Sequence, residues 1–436
     1  MAQNIKSLPQ GIFNQLQKKV LATLGFLAIY RIGVHIPVPG VNTEALSEFF
    51  KNQGGNLFGM FNMFSGGALE RFSVCALGVM PYISASIIAQ LLTVVIPHLE
   101  ALSKEGESGR RKINQYTRYG TVVLAFIQGY MIASTLESQP FGGGRLVYDG
   151  GLDWRLLTTV SLVSGTCFVM WLGERITEHG VGNGMSLIIF SGIVAGLPNI
   201  IGNTYSQYAH AQLDIARILM ILVLVIIITS GVVFMEQGVR QVPIQYAKRQ
   251  VGGKVYGGQN THLPIRINSA GVIPPIFASS LLQFPTTIAA LNPNTKFGSF
   301  VSTLFVPGGW SYNTVYVTLI VFFAFFYTSI TFKPDDIAEN LKKNGGFIPG
   351  IRPGVRTSDY LDKIVSRLTL PGALYLSSIC VLPAIFAGQF NVQFYFGGTS
   401  LLIVVGTALE TFRQIDAQRQ SLRYNSFAKK GLIRPR

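Results

Sequence analysis

The chain has 436 residues, of which 49% are hydrophobic and only 13% charged, against about 25% charged in soluble domains. Its formal net charge is +15. That balance excludes a disordered polyelectrolyte and an ordinary soluble domain. The three cysteines (Cys75, Cys167, Cys380) all lie within apolar runs, which argues against a disulfide framework or a metal site.

Ten apolar stretches follow one another, at 20–37, 72–96, 118–136, 155–173, 183–202, 214–235, 268–290, 314–332, 369–388 and 398–415. A bilayer core is ~30 Å thick and needs about 20 apolar residues in a helix. Lipid accepts only helices and closed barrels, and runs this continuous lack the alternation of barrel strands. The composition therefore predicts an all-α, polytopic membrane protein, with the 47 glycines allowing close helix packing. The amino terminus (MAQNIKSLPQ) is polar and no small-residue cleavage site follows the first span, so that span is expected to act as its own insertion signal.

In span 1, Arg31 and His35 stand one turn apart. They could form a polar site, or lie towards the outer leaflet where an arginine snorkels. Residues 57–69 follow, apolar and rich in Met and Phe, too short to span and suited to a re-entrant or interfacial segment. Span 2 carries Pro81 within its apolar run, and span 7 carries Pro274, Pro275 and Pro285. Each proline removes an amide donor, so both helices are expected to be kinked or partly opened. Interrupted helices at matching places in two groups of five spans suggest inverted halves with a pathway between them. Packing kinks in an ordinary bundle would read the same way.

Two segments between spans are too long to be turns: 236–267 and 333–368, the latter with a helical-looking Asp335–Lys343. With the amino terminus inside, 28 of the 35 Lys and Arg residues fall on the inner side. The positive-inside rule then predicts both termini in the cytoplasm. The basic inner face suits anionic lipid headgroups or a protein partner better than nucleic acid.

No Asp, Glu or Lys falls near the middle of an expected span, which speaks against an ion-coupled carrier. Val251–Val255 lacks the spacing of a phosphate-binding loop, and the five histidines form no cluster for metal-assisted hydrolysis. No catalytic residue, cofactor or metal is expected. A small-solute transporter with inverted repeats and an intramembrane enzyme stay as alternatives, one lacking a polar substrate cluster and the other a nucleophile.

Nine motifs run in order through the chain: NMFSGGAL (62–69), MPYISASII (80–88), KEGESGRR (104–111), GNG (182–184), YAKRQ (246–250), THLP (261–264), GVIP (271–274), GIRPG (350–354) and FGGTSLLI (396–403). Together they closely resemble the SecY/Sec61-alpha family of protein-conducting channels. The doubled Pro274-Pro275 is a local departure that bears on the shape of span 7.

The resemblance implies a clamshell channel of ten transmembrane helices in two inverted five-helix halves, 1–203 and 204–436, with a basic tail at 416–436. It would lie in the bacterial plasma (inner) membrane, passing unfolded preproteins across and releasing membrane segments sideways. Implied partners are the small membrane subunits SecE and SecG, the SecA ATPase, the ribosome, signal peptides and the accessory SecDF. Matched residue by residue, the central collar would be Ile83, Ile87, Ile193, Ile276 and Ile403. Ile83 and Ile87 share a helix face, and β-branched side chains are stiff enough to hold an aperture. The plug would be the 57–69 segment, with Phe58, Met60, Phe61, Asn62, Met63, Phe64, Ser65, Gly66 and Gly67. Thr93 and Asn268 would be polar positions of the lateral gate. Arg352, Arg240, Lys248 and Arg249 would form the docking surface for the ATPase or ribosome. Taken singly, each isoleucine would more often be a lipid-facing or packing residue and each basic residue an ordinary lipid-facing charge; the family match decides.

Overall fold

A computed structural model of the chain describes residues 10–52, 62, 65–138, 140–141, 144–148, 150–210, 214–246, 249–251, 254–256, 260–291, 296–305, 309–390 and 398–429. Helices dominate. In chain order they are α1 (Gln10–Gly33), α2 (Thr43–Asn52), α3 (Met80–Val95), α4 (Pro97–Lys104), α5 (Glu107–Ser138), α6 (Leu152–His179), α7 (Gly184–Ala209) and α8 (Ile215–Gln237). After the first long loop come α9 (Ile273–Leu291), α10 (Lys296–Leu304), α11 (Trp310–Thr331), α12 (Pro334–Lys343), α13 (Val355–Phe390) and α14 (Gly398–Lys429). Each of the ten expected spans overlaps a described helix. Among the described residues six helices are long and apolar enough to cross a membrane (α5, α6, α7, α8, α11 and α13), and α3 with α4 forms a seventh, sharply bent candidate.

The chain groups into two compact units. One comprises Met1–Ile215, Gln283–Pro307 and Ile403–Arg436, and the other Ala216–Leu282 and Gly308–Leu402.

In the first unit α5 packs on α6 and α3, while α6 also meets α1 and α7. The helix expected from Phe72 begins only at Met80. Residues 72–79 run through turns instead, with Phe72 at φ 45 and Gly78 at φ 55. This backbone is buried in protein rather than laid against lipid: Phe72 and Ser73 are fully buried. Its polar groups are satisfied by the chain after α1, through Val38 N–H to the Phe72 carbonyl at 2.9 Å and Val74 N–H to the Ile36 carbonyl at 2.9 Å. Non-helical backbone at membrane depth needs such cover. Leu69, Phe72, Ala76 and Leu77 join Val38, Leu46, Trp154 and Leu162 in one apolar cluster.

Pro81 therefore does not kink a running helix. It sits in the first turn of α3, where its missing amide costs nothing. Pro274 and Pro275 likewise fall in the first turn of α9, after Gly271 at φ 64, and Pro285 lies inside that helix. At the other end of α3 the chain turns by 100° into α4. Ile96, next to Pro97, is extended at φ −99 and ψ 114, because a residue before proline is driven out of the helical region.

In the second unit α11 and α12 both pack against α13. The long loop after α8 forms strands rather than irregular chain. These are β3 (Val239–Tyr246), β4 (Arg249–Val251), β5 (Lys254–Tyr256) and β6 (Asn260–Arg266), numbered after the short pair β1 (Pro140–Phe141) and β2 (Gly144–Arg145) of the first unit. Strand β7 (Gly346–Phe347), from the other long loop, completes a three-stranded sheet ordered β6-β3-β7. The expected helix near Asp335–Lys343 is α12.

Candidate functional site

Tyr30 and Arg31, neighbours in the last turns of α1, reach the chain that leads into the buried 72–79 segment. Tyr30 Oη donates to the Ser65 carbonyl at 3.2 Å, and Arg31 Nη1 donates to the Gly66 carbonyl at 3.2 Å. Gly66 adopts φ +68, and a Cβ there would stand 2.7 Å from the Cα of Gly192 on α7. Only glycine allows that approach. Asn62 closes the same stretch into a small ring. Its carbonyl accepts from Gly67 N–H at 2.8 Å and from Ser65 Oγ at 3.1 Å. Its side chain exchanges hydrogen bonds with the Glu70 amide and carboxylate, at 2.9 and 3.1 Å.

Arg31 is therefore engaged with the 65–67 stretch rather than snorkelling away from it, and the sequence reading missed this role. His35 Nδ1 lies 2.8 Å from the Arg31 carbonyl. Of the expected plug residues, Asn62, Ser65, Gly66 and Gly67 belong to this seat. Phe58, Met60, Phe61, Met63 and Phe64 lie outside the described residues.

Among the residues expected to form the collar, Ile83 is half-buried and Ile87 buried on α3, Ile193 is buried on α7 next to Gly192, and Ile403 is buried on α14. In the second unit Ile276 is half-buried in the first turn of α9. Thr93 bonds within its own helix, Oγ1 to the Gln90 carbonyl at 2.6 Å.

Asn268 precedes α9 and is buried. Its amide donates to Glu236 Oε1 at 2.6 Å and to the Gly271 carbonyl at 3.1 Å. Glu236, at the end of α8, is itself only 8% exposed. Buried carboxylates need hydrogen-bond donors, and its position just past the apolar run of span 6 is the signal that sequence reading passed over.

The two long loops converge on one small body. Residues Val242 and Ile265 of the first loop pack with Ile348, Leu361 and Val365 of the second, and Gln245 and Tyr246 pair with Phe347 and Gly346. Arg240 projects exposed from β3 and Arg352 is exposed between Gly350 (φ 80) and Gly354 (φ 108). The carbonyl of Arg352 accepts from Thr357 Oγ1 at 3.0 Å, which holds this turn against the start of α13. Beside it Ser358 Oγ donates to Asp335 Oδ1 at 2.6 Å, linking α13 to α12. On α12, Lys343 lies 2.9 Å from Glu339, and that hydrogen bond lowers the Glu339 pKa. Arg249 lies on β4, paired with Tyr256, and Lys248 lies outside the described residues.

The SecY family profile matches residues 73–412 of the chain. The chain belongs to the SecY family. Protein translocase subunit SecY of Vibrio cholerae is 49% identical over 99% of this chain and 98% of its own length. The Escherichia coli K12 SecY is 49% identical over 98% and 96%, and that of Aquifex aeolicus 47% identical over 99% and 100%. Among solved structures the fold is similar to that of a protein-conducting channel, with a TM-score of 0.69, 17% identity and 95% of both chains covered. It is also similar to a SecY channel whose plug domain stabilises the closed state (TM-score 0.67, 19% identity, 95% of both chains). The canine Sec61 of a ribosome–channel complex gives 0.64 at 16% identity, again with 95% of both chains covered. SecY membership makes this a multi-pass membrane protein of a channel family.

Proposed function

We propose that the chain is the central pore subunit of a protein translocation channel, passing unfolded secretory proteins across a membrane and releasing membrane segments sideways into lipid. The observation that carries this is the near-full-length identity of 49% to translocase subunits, far beyond what a shared fold alone produces. Energy would come from outside the chain, from the SecA ATPase or the ribosome. SecE, SecG and SecDF would be membrane partners, and the bacterial plasma membrane the location.

Ten spans in two inverted halves, 1–203 and 204–436, with both termini cytoplasmic, fit the helix order and the placement of basic residues. Ile83, Ile87, Ile193, Ile276 and Ile403 would form the collar. An apolar ring dewets and so blocks hydrated ions, while offering a passing chain no fixed hydrogen bond. The 57–69 segment would be the plug, and its end at Gly66 meets α7 one residue before Ile193. Helices α3 and α9 would be the two sides of the lateral gate, with Thr93 and Asn268 as polar positions. Arg352, Arg240, Lys248 and Arg249 would dock the motor. That reading is supported by the exposure of Arg240 and Arg352 on a body shared by both loops.

The test is to stall a secretory precursor in the membrane and crosslink it to probes placed along α3 and α9. Crosslinks at successive inward positions of both helices are expected. A precursor that crosslinks to neither helix would exclude the channel reading.

A further inference from the structure

The geometry points to Tyr30 and Arg31 as positioning residues: together they latch the Ser65–Gly66 backbone against Gly192 and so set how readily the channel opens at rest. This rests on the reading of residues 57–69 as the plug, and adds to it the parts that hold its Ser65–Gly67 stretch.

Successive side chains on a helix diverge by about 100°, so Tyr30 and Arg31 can reach successive carbonyls only if the stem lies across the end of α1. The Tyr30 and Arg31 bonds to Ser65 and Gly66 are those contacts. The stem itself, residues 65–70, is preformed, because Asn62 ties Ser65, Gly67 and Glu70 together and two consecutive glycines, at φ +68 and +85, supply its left-handed bend. The latch therefore grips a unit rather than a loose strand. Its third contact is steric, Gly66 against the backbone of Gly192.

Both acceptors are main-chain carbonyls, so the latch holds position without depending on plug side chains. Its strength depends on water. In a dry site a hydrogen bond from a guanidinium is strong, whereas once water enters, donor and acceptor are both solvated and the net gain shrinks. Such a latch, dry at Tyr30 and half-buried at Arg31, weakens once a client admits further water. Tyr30 is almost fully buried, which keeps the resting contact dry on that side.

The experiment uses the full chain in its membrane complex, with single-channel recording of resting open probability and transport of a precursor bearing a defective signal sequence. Arg31→Met removes the donor, Arg31→Lys keeps a charged donor, and Tyr30→Phe removes only a hydroxyl. Each is made alone and in a background lacking Phe58–Gly67. Loss of one charged hydrogen bond is expected to raise resting opening roughly tenfold in Arg31→Met, with passage of the defective precursor, substantial rescue by Arg31→Lys and a smaller rise in Tyr30→Phe. None should add to the leak of the deletion background.

Tight Arg31→Met channels, or a leak that persists undiminished on top of the deletion, would overturn the latch. Should Arg31→Met fail to accumulate, Tyr30→Phe decides, and a tight channel there overturns the latch equally. If the deletion leaks while every latch variant stays tight, the latch alone falls. If the deletion itself does not leak, the plug reading falls and the latch with it.

Discussion

The amide of Asn268 donates to the carboxylate of Glu236 across 2.6 Å, joining the turn before α9 to the end of α8 within the second unit. Both side chains are buried, and the nearby Tyr375 hydroxyl, 3.5 Å from the Val232 carbonyl, ties α13 to the same helix. The entry to α9 is thus fastened to α8, and α8 is in turn held to α13 by a second polar contact.

Asn268→Leu should therefore destabilise the folded protein by about 1.5–3 kcal/mol, the range for a hydrogen bond to a charged group. Asn268→Asp should cost more at neutral pH, since it sets a second carboxylate against Glu236. Thermal unfolding in detergent is the measurement. A melting point for Asn268→Leu equal to the parent's would show that this contact holds nothing.

Gly66 and Gly67 both adopt left-handed backbone, but only Gly66 has a neighbour where its Cβ would be; Gly67 has nothing within 4 Å. Each change to alanine carries the left-handed cost of about 1–2 kcal/mol. Gly66→Ala adds the clash with Gly192, so its ion leak should exceed that of Gly67→Ala. Equal leaks would mean that the approach to α7 does not seat the stem.

Ile87→Asn and Ile403→Asn should each admit water to the collar, raise ion conductance and relax the demand on the signal sequence. Replacing a buried β-branched residue by a polar amide removes both the seal and its stiffness. Recordings with conductance unchanged in both variants would remove these two residues from the pore.

Arg352→Glu should leave the protein inserted and folded but severely reduce ATP-driven precursor transport, because a reversed charge at a docking site adds repulsion as well as removing attraction. Arg434→Glu, in the basic tail, should be nearly silent. Precursor protection in inverted vesicles, read alongside motor binding, separates them. Similar behaviour of the two would reduce the loop to a generic basic surface.

Single cysteines at Gln139 and Ser426 should react with a membrane-impermeant reagent from opposite sides of the membrane. Outside labelling is expected at position 139 only. Labelling of both from one side would break the alternation on which the span layout depends.

Much of this architecture was legible in the sequence because lipid leaves so few options: a helix does stand at each apolar stretch. The break in span 2 was also legible, but its form was not. Pro81 signals an interruption wherever it sits, and only the left-handed Phe72 and Gly78 show that the chain stays non-helical until Met80. The Tyr30–Arg31 seat was hidden for a different reason. Its acceptors are main-chain carbonyls, which leave no mark in a sequence, and an arginine in an apolar run reads as a snorkelling charge. In β3 a signal was present, since Val242 and Ile244 alternate inward, yet Pro243 between them disguised the strand.

The shared sheet has a mechanical meaning. Residues 236–267 and 346–348 are about a hundred positions apart, yet Tyr246 is paired with Gly346 and Ile265 shares a core with Ile348. A partner that pushes on one loop must move the other or expose that core to water. The 36-residue α13 starts three residues beyond Arg352 and carries Pro371 and Pro383 inside it, so a thrust delivered at that arginine enters a helix about 54 Å long along its path, with a first straight stretch that ends near Pro371. What looks in sequence like two separate landing pads is a single handle, and a motor gripping it at either end would turn the same lever.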